Sequence, residues 1–342
     1  KFLNDNGISA ELISSSSSAL KKHDKKIRIF TQIFQNKGTF QRFMCYVEFG
    51  TRLLFLKIDQ DVIYCSTPNI FACLMAMCRA KLSGKKFIFE VRDIWSESVT
   101  DLTEISKHNP IFILSRWIER ILILKSDLVV HTMRDFPNYA KKECIKKAEH
   151  FFYLPQIIDL NLVIRNLEQR RKNYRFVYSG SLKEKNNPME LIRGFKRFSE
   201  TKPELKASLK IIGFPETNEL ENFSSINNLN IDFEKKFYSK KELLNKLSAY
   251  DAGIVSYKDK SVYNYGISFN KVLDYKASGL FVIYSKGDDH SSGKNTFDSL
   301  MEYVNCPESE VNMMRRINLD EVTKKHDAKE NVKRLLKRIK DL

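Results

Sequence analysis

One stretch of the sequence decides the fold: Gly266-Ile-Ser-Phe-Asn-Lys-Val-Leu-Asp-Tyr-Lys-Ala-Ser-Gly279, followed at once by the apolar run Leu280-Phe-Val-Ile-Tyr284. The pattern predicts a loop, a short helix with Lys271 and Asp274 near its start, a glycine stop and a buried parallel strand. In α/β proteins, phosphates and riboses bind at such a loop-to-helix junction, because the helix N-terminus presents unpaired N–H groups. We therefore predict a phosphate-binding site here.

The length and composition of the chain predict two domains. Its 342 residues are 42% hydrophobic, which is enough to bury two cores. We place the domains at residues 1–165 and 174–320, followed by a basic C-terminal helix over residues 321–342. The polar stretch Asn161–Asn173 then serves as the linker.

Short apolar runs alternate with helical patterns in both domains, which predicts an α/β fold of parallel sheets covered by helices on both faces. In the first domain we expect strands over residues 10–13, 61–65, 86–91, 127–131 and 150–154, and helices over residues 40–57, 70–81, 111–125 and 135–147. In the second we expect strands over residues 175–180, 208–213, 229–233, 252–257 and 280–284. Helices are expected over residues 188–200 and 239–250, the latter with a Ser239–Glu242 capping box, and in the opening stretch.

The helix over residues 111–125 is predicted to be amphipathic. Leu114, Trp117, Ile118, Ile121 and Leu122 fall on one face at helical spacing, whereas Arg116, Glu119 and Arg120 fall on another. The pattern favours a helix that covers the sheet with its apolar face. A helix that lies on a membrane is the alternative.

The net charge of +16 is spread evenly over the two halves of the chain. Nucleic-acid-binding proteins usually concentrate such an excess in a stripe or a recognition motif, and neither is present in this sequence. We therefore expect no nucleic-acid partner, and the charge indicates a solvated surface, phosphate-bearing substrates or an anionic membrane face. Lys141, Lys142, Lys146 and Lys147 would gather on one side of a helix and favour the membrane face.

The cysteines and histidines exclude several kinds of site. The six cysteines form no C-x-x-C pair and lie mostly in apolar runs, which favours reduced thiols and a cytoplasmic protein. The six histidines show no metal-binding spacing, and no G-x-S-x-G turn is present, so a metal site and a serine hydrolase are not expected. The longest apolar stretch, Asn69–Cys78, is too short to span a bilayer.

The opening stretch resembles the donor-binding signature of retaining glycosyltransferases of family 4, in the subgroup written S-x-x-K-x-x-E-Y-x-A-x-G. Asp274 stands where that signature has its ribose-binding glutamate, and Gly266 stands where fuller versions have a first acid. The resemblance implies that backbone N–H groups from Gly266 to Asn270, including Ser268, contact the donor. It also implies that Lys271 reaches the diphosphate and that no metal or other cofactor is needed.

Two further segments carry the resemblance. Phe176–Lys185 resembles the first strand and turn of the family's donor domain, which assigns Gly180, Ser181, Lys183 and Lys185 to the diphosphate. Asn186-Asn187 replaces the family's Lys-Gly pair there.

Phe87–Ser98 is similar to the family's E-x-R-D-x-W-P-E-S, with Ser96 in place of proline. The match implies an acceptor side formed by Arg92, Asp93 and Trp95. Asp93 and Asp274 are thus the candidate catalytic residues.

The family's fold is GT-B, two Rossmann-like domains whose parallel sheets face an interdomain cleft. Its activity is sugar transfer from a nucleotide-diphosphate donor to a glycan or lipid-linked acceptor, with retention, in O-antigen or capsule synthesis. We therefore expect a cytoplasmic enzyme with peripheral attachment to the inner membrane face. The family's first strand and glycine-rich turn do not precede residues 1–13, so we expect the sequence to be a fragment or the strand order to differ. A catalytically silent GT-B subunit and a nucleotide-sugar 2-epimerase remain alternatives.

Overall fold

The computed structural model describes two compact units. The residues that it describes are 7–14, 27–29, 39–97, 106, 108–144, 148–164, 174–215, 218–258, 261–266, 269–286 and 294–342. Unit 1 comprises Lys1–Pro155, Ser261–Ile267 and Lys329–Leu342, and unit 2 comprises Gln156–Lys260 and Ser268–Ala328.

The strands and helices alternate along most of the chain. The strands are β1 Leu12–Ser14, β2 Ile27–Ile29, β3 Val62–Ser66, β4 Lys86–Val91, β5 Leu128–His131, β6 Phe151–Tyr153, β7 Arg175–Ser179, β8 Ser208–Ile212, β9 Ile231–Glu234, β10 Ala252–Tyr257 and β11 Phe281–Lys286. The helices are α1 Thr39–Leu54, α2 Ile70–Leu82, α3 Pro110–Lys125, α4 Phe136–Cys144, α5 Pro188–Thr201, α6 Glu219–Ile226, α7 Lys240–Leu247, α8 Asn270–Ala277, α9 Thr296–Asn305, α10 Glu308–Lys325 and α11 Ala328–Lys340.

Each unit is built on a parallel sheet. Unit 1 has the order β3-β4-β5-β6, beside a separate parallel pair of β1 and β2, and unit 2 has the order β11-β10-β7-β8-β9. All residues of β5 and β10 are buried, because helices cover both faces of a parallel sheet. This agrees with the uninterrupted apolar runs from which the strands were predicted.

Helix α3 packs on a different face from the one that we predicted. Leu114 and Trp117 are 55% and 57% exposed, while Glu119 is fully buried beside Leu122 and Ile123. The helix has apolar side chains on more than one face, so the face that their spacing indicated is not the one that is buried. Glu119 decides the orientation because its carboxylate has hydrogen-bond donors in the interior, and the helix therefore buries the side that carries it.

The units differ from the predicted domains at three places. Residues 156–164, which we placed in the first domain, are part of unit 2. Residues 261–267, which we placed in the second domain, are part of unit 1. The C-terminal helix expected over residues 321–342 is two helices, because α10 ends at Lys325 and α11 begins at Ala328. Helix α11 joins unit 1, where Leu335 packs against the β4 and β5 side chains Ile88 and Val130. Residues 165–173 of the expected linker lie outside the described residues.

Helix α8 is attached to the unit 2 sheet through Tyr275. Strands β7 and β10 pair only at Phe176–Ala252 and Val177–Gly253. Beyond these pairs the Tyr275 hydroxyl joins the two strands, since it accepts the Ser179 N–H at 2.8 Å and donates to the Ile254 carbonyl oxygen at 3.3 Å. A Cβ on Gly253 would overlap the Tyr275 ring, with Cδ1 at 2.7 Å. Glycine at this position therefore lets the ring lie directly on the strand.

We expect Tyr275→Phe to lower the free energy of unfolding by about 1–3 kcal/mol, because the buried Ser179 N–H loses its acceptor. Gly253→Ala should cost about as much, since the added methyl group must displace the Tyr275 ring. Urea denaturation of the intact chain measures both changes at constant slope. Tyr46→Phe, at an exposed position on α1, is the matched control and should stay within about 0.5 kcal/mol. Equal midpoints for Tyr275→Phe and Tyr46→Phe would show that the bridge contributes nothing.

Candidate functional site

Two glycines lie side by side where β7 and β8 end. Gly180 has a φ of +132° and its N–H donates to the Ile212 carbonyl oxygen at 2.9 Å. A Cβ on Gly213 would overlap the Gly180 carbonyl oxygen, so only glycine allows this approach of the two loops. The carboxyl ends of parallel strands are where open α/β sheets bind ligands. Gly180 was predicted from the sequence, whereas Gly213 was seen only as the end of a strand.

The turn after Gly180 is held by side chains. The Ser181 carbonyl oxygen accepts from the Tyr178 hydroxyl at 2.7 Å and from Asn186 Nδ2 at 2.8 Å. Asn187 has a φ of +48°, a left-handed conformation that asparagine tolerates better than most residues. Asn186 and Asn187 thus shape the turn, a role that the sequence comparison did not reveal.

The lysines of this turn were predicted to contact a diphosphate. Lys183 is exposed, and its backbone N–H donates to Ser181 Oγ at 3.3 Å. The side chain of Lys185 lies outside the described residues. The structure therefore places Lys183 at the predicted turn and leaves the contribution of Lys185 a prediction.

The side chain of Lys271, which lies on α8, reaches the Gly180 turn. Its Nζ donates to the Tyr178 hydroxyl at 2.9 Å and lies 4.2 Å from the centroid of that ring. A Cβ at Gly180 would be 3.7 Å from the same Nζ, so the ammonium group is at the turn. Phe269, the N-cap of α8, forms no side-chain hydrogen bond to the helix, and its carbonyl oxygen accepts the Val272 N–H at 3.1 Å. The ammonium group of a first-turn residue of α8 thus lies at the Gly180 turn, which suits an anionic group.

Asp274 lies one helical turn after Lys271 and is buried. Its Oδ1 accepts from Lys240 Nζ at 2.6 Å. Burial raises the pKa of the Asp274 carboxyl above its ordinary value, and the Lys240 ammonium opposes that rise. Lys240 is the first residue of α7, directly after the N-cap Ser239, whose capping box with Glu242 is present as predicted. Lys240 was missed because its partner is 34 residues away in the sequence.

The remaining residues predicted for the donor do not form one group. Gly266 belongs to unit 1, and its N–H donates to the Tyr263 carbonyl oxygen at 3.1 Å, so this N–H is already engaged. Its φ is +111°, and a Cβ on Gly266 would lie only 3.1 Å from the Arg134 backbone nitrogen, so the loop itself requires glycine here. Asn270 is the exposed first residue of α8, and Ser268 lies outside the described residues.

An exposed aromatic pair follows β8 and β9. Phe214 and Phe237 are 43% and 86% exposed, and their rings stack with centroids 4.5 Å apart at 30°. Both residues lie just past the carboxyl ends of their strands, at the same edge of the sheet as Gly180 and Gly213. Exposed ring faces at this edge can stack on a planar ligand.

In unit 1, the predicted acceptor-side residues follow β4. Arg92 and Asp93 are exposed, and Thr67 Oγ1 accepts their backbone N–H groups at 3.0 and 3.4 Å. Thr132 Oγ1 donates to the Arg92 carbonyl oxygen at 3.2 Å. The two threonines follow β3 and β5, the strands on either side of β4. They hold the backbone so that the charged side chains extend from the carboxyl edge of the sheet.

Glu119 holds the next part of the same segment. Its Oε1 and Oε2 accept the N–H groups of Trp95 and Ser96, each at 3.1 Å, and Tyr139 Oη donates to Oε2 at 3.3 Å. Burial raises the pKa of the Glu119 carboxyl, and its bonds to Ser96, Trp95 and Tyr139 oppose that shift. Trp95 is half-buried and packs on the core of unit 1. Glu119 was interpreted from the sequence as a surface residue, because a charged residue on a helix is usually solvated.

His131 ends β5 and is buried. Its Nδ1 lies 2.8 Å from the Met133 carbonyl oxygen, and its ring stacks on Phe136 with centroids 5.3 Å apart. Burial lowers the pKa of the imidazole. These contacts give His131 a structural role as a buried histidine at the end of a strand.

Among the described residues, no three histidine, cysteine or acidic side chains are grouped so that they could hold a metal ion. No helix in the described ranges combines the length and hydropathy needed to cross a bilayer.

No protein-family model matches the chain. No curated protein matches its sequence.

Solved structures, by contrast, are similar over most of the chain. The sucrose-phosphate synthase of Thermosynechococcus elongatus has a TM-score of 0.74 at 11% identity, over 99% of this chain and 90% of that one. A glycosyltransferase from Rickettsia africae has a TM-score of 0.70 at 11% identity, over 99% and 92% of the two chains. Anabaena HepE in complex with UDP has a TM-score of 0.63 at 10% identity, over 92% and 86%. The predicted fold class is confirmed: the two parallel α/β units have the GT-B fold of glycosyltransferases.

Proposed function

We propose that this protein is a retaining glycosyltransferase that transfers a sugar from a nucleotide-diphosphate donor to a glycan or lipid-linked acceptor. One observation carries the proposal: Lys271 and Asp274 lie one turn apart at the start of α8, and the Lys271 ammonium lies at the Gly180 turn. This is the arrangement of cation, helix N-terminus and carboxylate that a nucleoside diphosphate requires. The UDP complex of the structurally similar HepE supports a donor of this class.

The main role that we propose for the donor-site residues is to stabilise the negative charge of the leaving group. As the bond between the anomeric carbon and the phosphate oxygen breaks, negative charge develops on the departing diphosphate. In the proposed reaction Lys271 would stabilise that charge, together with the dipole of α8 and the Gly180 turn. Asp274 would accept hydrogen bonds from the ribose hydroxyls, while Lys240 keeps its buried carboxylate ionised. The stacked Phe214 and Phe237 offer a face for the base.

The acceptor side is assigned to Arg92, Asp93 and Trp95. In the proposed reaction an acceptor hydroxyl oxygen forms a bond to the anomeric carbon on the face that the diphosphate leaves. The hydroxyl proton passes to a phosphate oxygen, so no protein base is required. Asp93 would then orient the acceptor hydroxyl, and Arg92 would bind a charged or polar part of the acceptor.

We propose the cellular location of the protein from its resemblance to the glycosyltransferase family. We place the protein in the cytoplasm, attached peripherally to the inner membrane face, where lipid-linked acceptors of O-antigen or capsule are extended. The activity would need neither a metal ion nor another cofactor. The five cysteines whose side chains the structure describes are free thiols, which agrees with this compartment: Cys45, Cys65, Cys73, Cys78 and Cys306.

The direct experiment is donor turnover by the intact protein with a panel of UDP-, GDP-, ADP- and dTDP-sugars. We expect one donor to release its nucleoside diphosphate slowly into water, and faster with an acceptor. Tight nucleotide binding without any turnover would instead support the catalytically silent subunit. A C2-epimeric product would support the epimerase. Absence of binding to every nucleotide would contradict the donor site itself.

We expect Asp274→Ala to weaken nucleoside-diphosphate binding by about ten- to a hundredfold. A charge-assisted hydrogen bond lost from the ribose corresponds to roughly 1.5–3 kcal/mol. Calorimetry of the intact protein with the preferred nucleotide measures the change. Asp320→Ala, which removes an exposed helical aspartate of the same unit, is the matched control and should bind like the wild type. Unchanged affinity in Asp274→Ala would leave Asp274 with a structural role only.

The contribution of Asp274 to nucleotide affinity should also depend on pH. Burial raises the pKa of this carboxyl. The ratio of the nucleotide affinity of the wild type to that of Asp274→Asn should therefore fall as the pH decreases toward that raised pKa. Lys240→Met removes the charge that opposes the rise, so the same loss should occur at a higher pH. Titrating nucleotide affinity against pH for each variant, always relative to Asp274→Asn, cancels the titration of the phosphate. A pH-independent ratio in both backgrounds would contradict a ribose contact by the ionised carboxylate.

Asp93→Asn should separate donor from acceptor function. We expect nucleotide affinity to stay within about twofold of the wild type, and acceptor-dependent transfer to fall by roughly 10²-fold, as for a lost positioning contact. Comparing the calorimetric Kd with the rate of transfer to acceptor tests this. Asp61→Asn, an exposed aspartate just before β3 in the same unit, is the control. A parallel loss of nucleotide affinity in Asp93→Asn would move this residue to the donor side.

A further inference from the structure

Helix α3 is apolar on two faces, and only one of them is packed. Its inward face buries Phe112, Ile118 and Leu122, among others. The outward stripe consists of Ile113, Leu114, Trp117, Ile121 and Leu124. Ile121 is partly buried, and the other four side chains are 44–57% exposed. At 3.6 residues per turn these five positions fall within an arc of about 100°, so they form one continuous surface along the helix.

Positive charges border the outward stripe. Arg120 lies along one edge and Lys125 along the other, and both are exposed. The helix has a single acid, Glu119, which is buried on the inward face. Helix α4 packs beside α3 and exposes Lys141 and Lys142. The apolar stripe thus has a cation along each edge and a neighbouring helix with two exposed lysines, which matches an anionic partner.

We infer that the outward stripe docks on the surface of an anionic lipid bilayer, with α3 lying in the plane of the interface. A helix with an apolar face and basic edges takes this position, because its apolar side chains enter the acyl boundary while its cations remain among the headgroups. Trp117 lies near the centre of the stripe, and tryptophan is enriched at membrane interfaces because its ring is both apolar and hydrogen-bonding. The membrane-facing alternative considered for residues 111–125 thus applies to the face that carries Leu114 and Trp117.

A second copy of the chain fits this surface less well. The helix has 16 residues. A stripe about 24 Å long and about 10 Å wide covers roughly 240 Å², far below the ~800 Å² that each partner of a stable complex contributes. A two-fold axis would also bring the basic edges of both copies together, which is unfavourable. An anionic bilayer does not require a large protein interface, and its negative charge attracts the basic edges of the helix.

The docking surface extends the proposed function, since it would hold the protein where a lipid-linked acceptor is found. It rests on the α3 surface and not on donor chemistry. Vesicle binding is therefore measured without donor or acceptor, so that its failure leaves the glycosyl-transfer proposal intact. Failure of the donor experiments likewise leaves this surface unaffected.

The test is vesicle flotation of the intact protein, with phosphatidylcholine vesicles that contain or lack phosphatidylglycerol. We expect binding to the anionic vesicles, and a Trp117 emission shift to shorter wavelength in a Trp95→Phe background, where Trp117 is the one remaining tryptophan. Leu114→Ser with Trp117→Ser should lower the partition coefficient at least about tenfold, because the apolar contact is lost. Arg120→Glu with Lys125→Glu should lower it at ~0.05 M salt and much less at ~0.5 M, where the charges are screened.

The matched control is Met313→Ser with Ile317→Ser, which removes two exposed apolar side chains from α10 in unit 2. This variant should bind vesicles like the wild type. The variants used for flotation change exposed positions, so their melting temperatures should remain close to that of the wild type. The Trp95→Phe background changes a half-buried residue and is compared only with itself, with and without vesicles. Three results would overturn the inference: no vesicle binding, binding that Leu114→Ser with Trp117→Ser does not reduce, or a soluble dimer that this variant dissociates in the absence of lipid.

Discussion

The candidate donor site depends on a single buried hydroxyl group. Strands β7 and β10 pair for only two residues, and the Tyr275 hydroxyl then bridges Ser179 and Ile254. Because Tyr275 lies on α8, the same contact that joins the strands also sets the position of Lys271 and Asp274. Gly253 makes the contact possible by leaving room for the ring. The geometry of the candidate site and the integrity of the sheet are therefore coupled at one residue.

A buried carboxylate has the corresponding role in unit 1. Glu119 accepts two consecutive backbone N–H groups of the segment after β4, and Thr67 and Thr132 hold the residues just before them. The Arg92–Ser96 backbone is thus fixed on both sides, while the side chains of Arg92 and Asp93 remain exposed. A carboxylate without donors would be costly to bury, so these hydrogen bonds also explain why α3 faces the core with its only acid.

That orientation of α3 has a consequence at the surface. Turning Glu119 inward turns Leu114 and Trp117 outward, and the helix then exposes an apolar stripe between basic edges. The packing of the candidate acceptor segment and the proposed membrane contact are therefore two results of one rotation of the helix. Substitutions on the two faces can separate them, because the faces share no side chain.

The sequence by itself determined the parallel α/β architecture and the carboxyl-edge positions of Gly180, Arg92, Asp93 and Lys271. Continuous apolar strands, helix caps and glycine stops are local signals, and most elements lie within a few residues of their predicted bounds. Contacts between distant residues were decided only by the tertiary structure. Asp274 pairs with Lys240, Glu119 binds Trp95 and Ser96, and Gly266 joins unit 1. The face that α3 buries was also decided only by the tertiary structure: the helix has apolar side chains on more than one face, so their spacing did not identify the buried one, and the burial of one carboxylate determines its rotation.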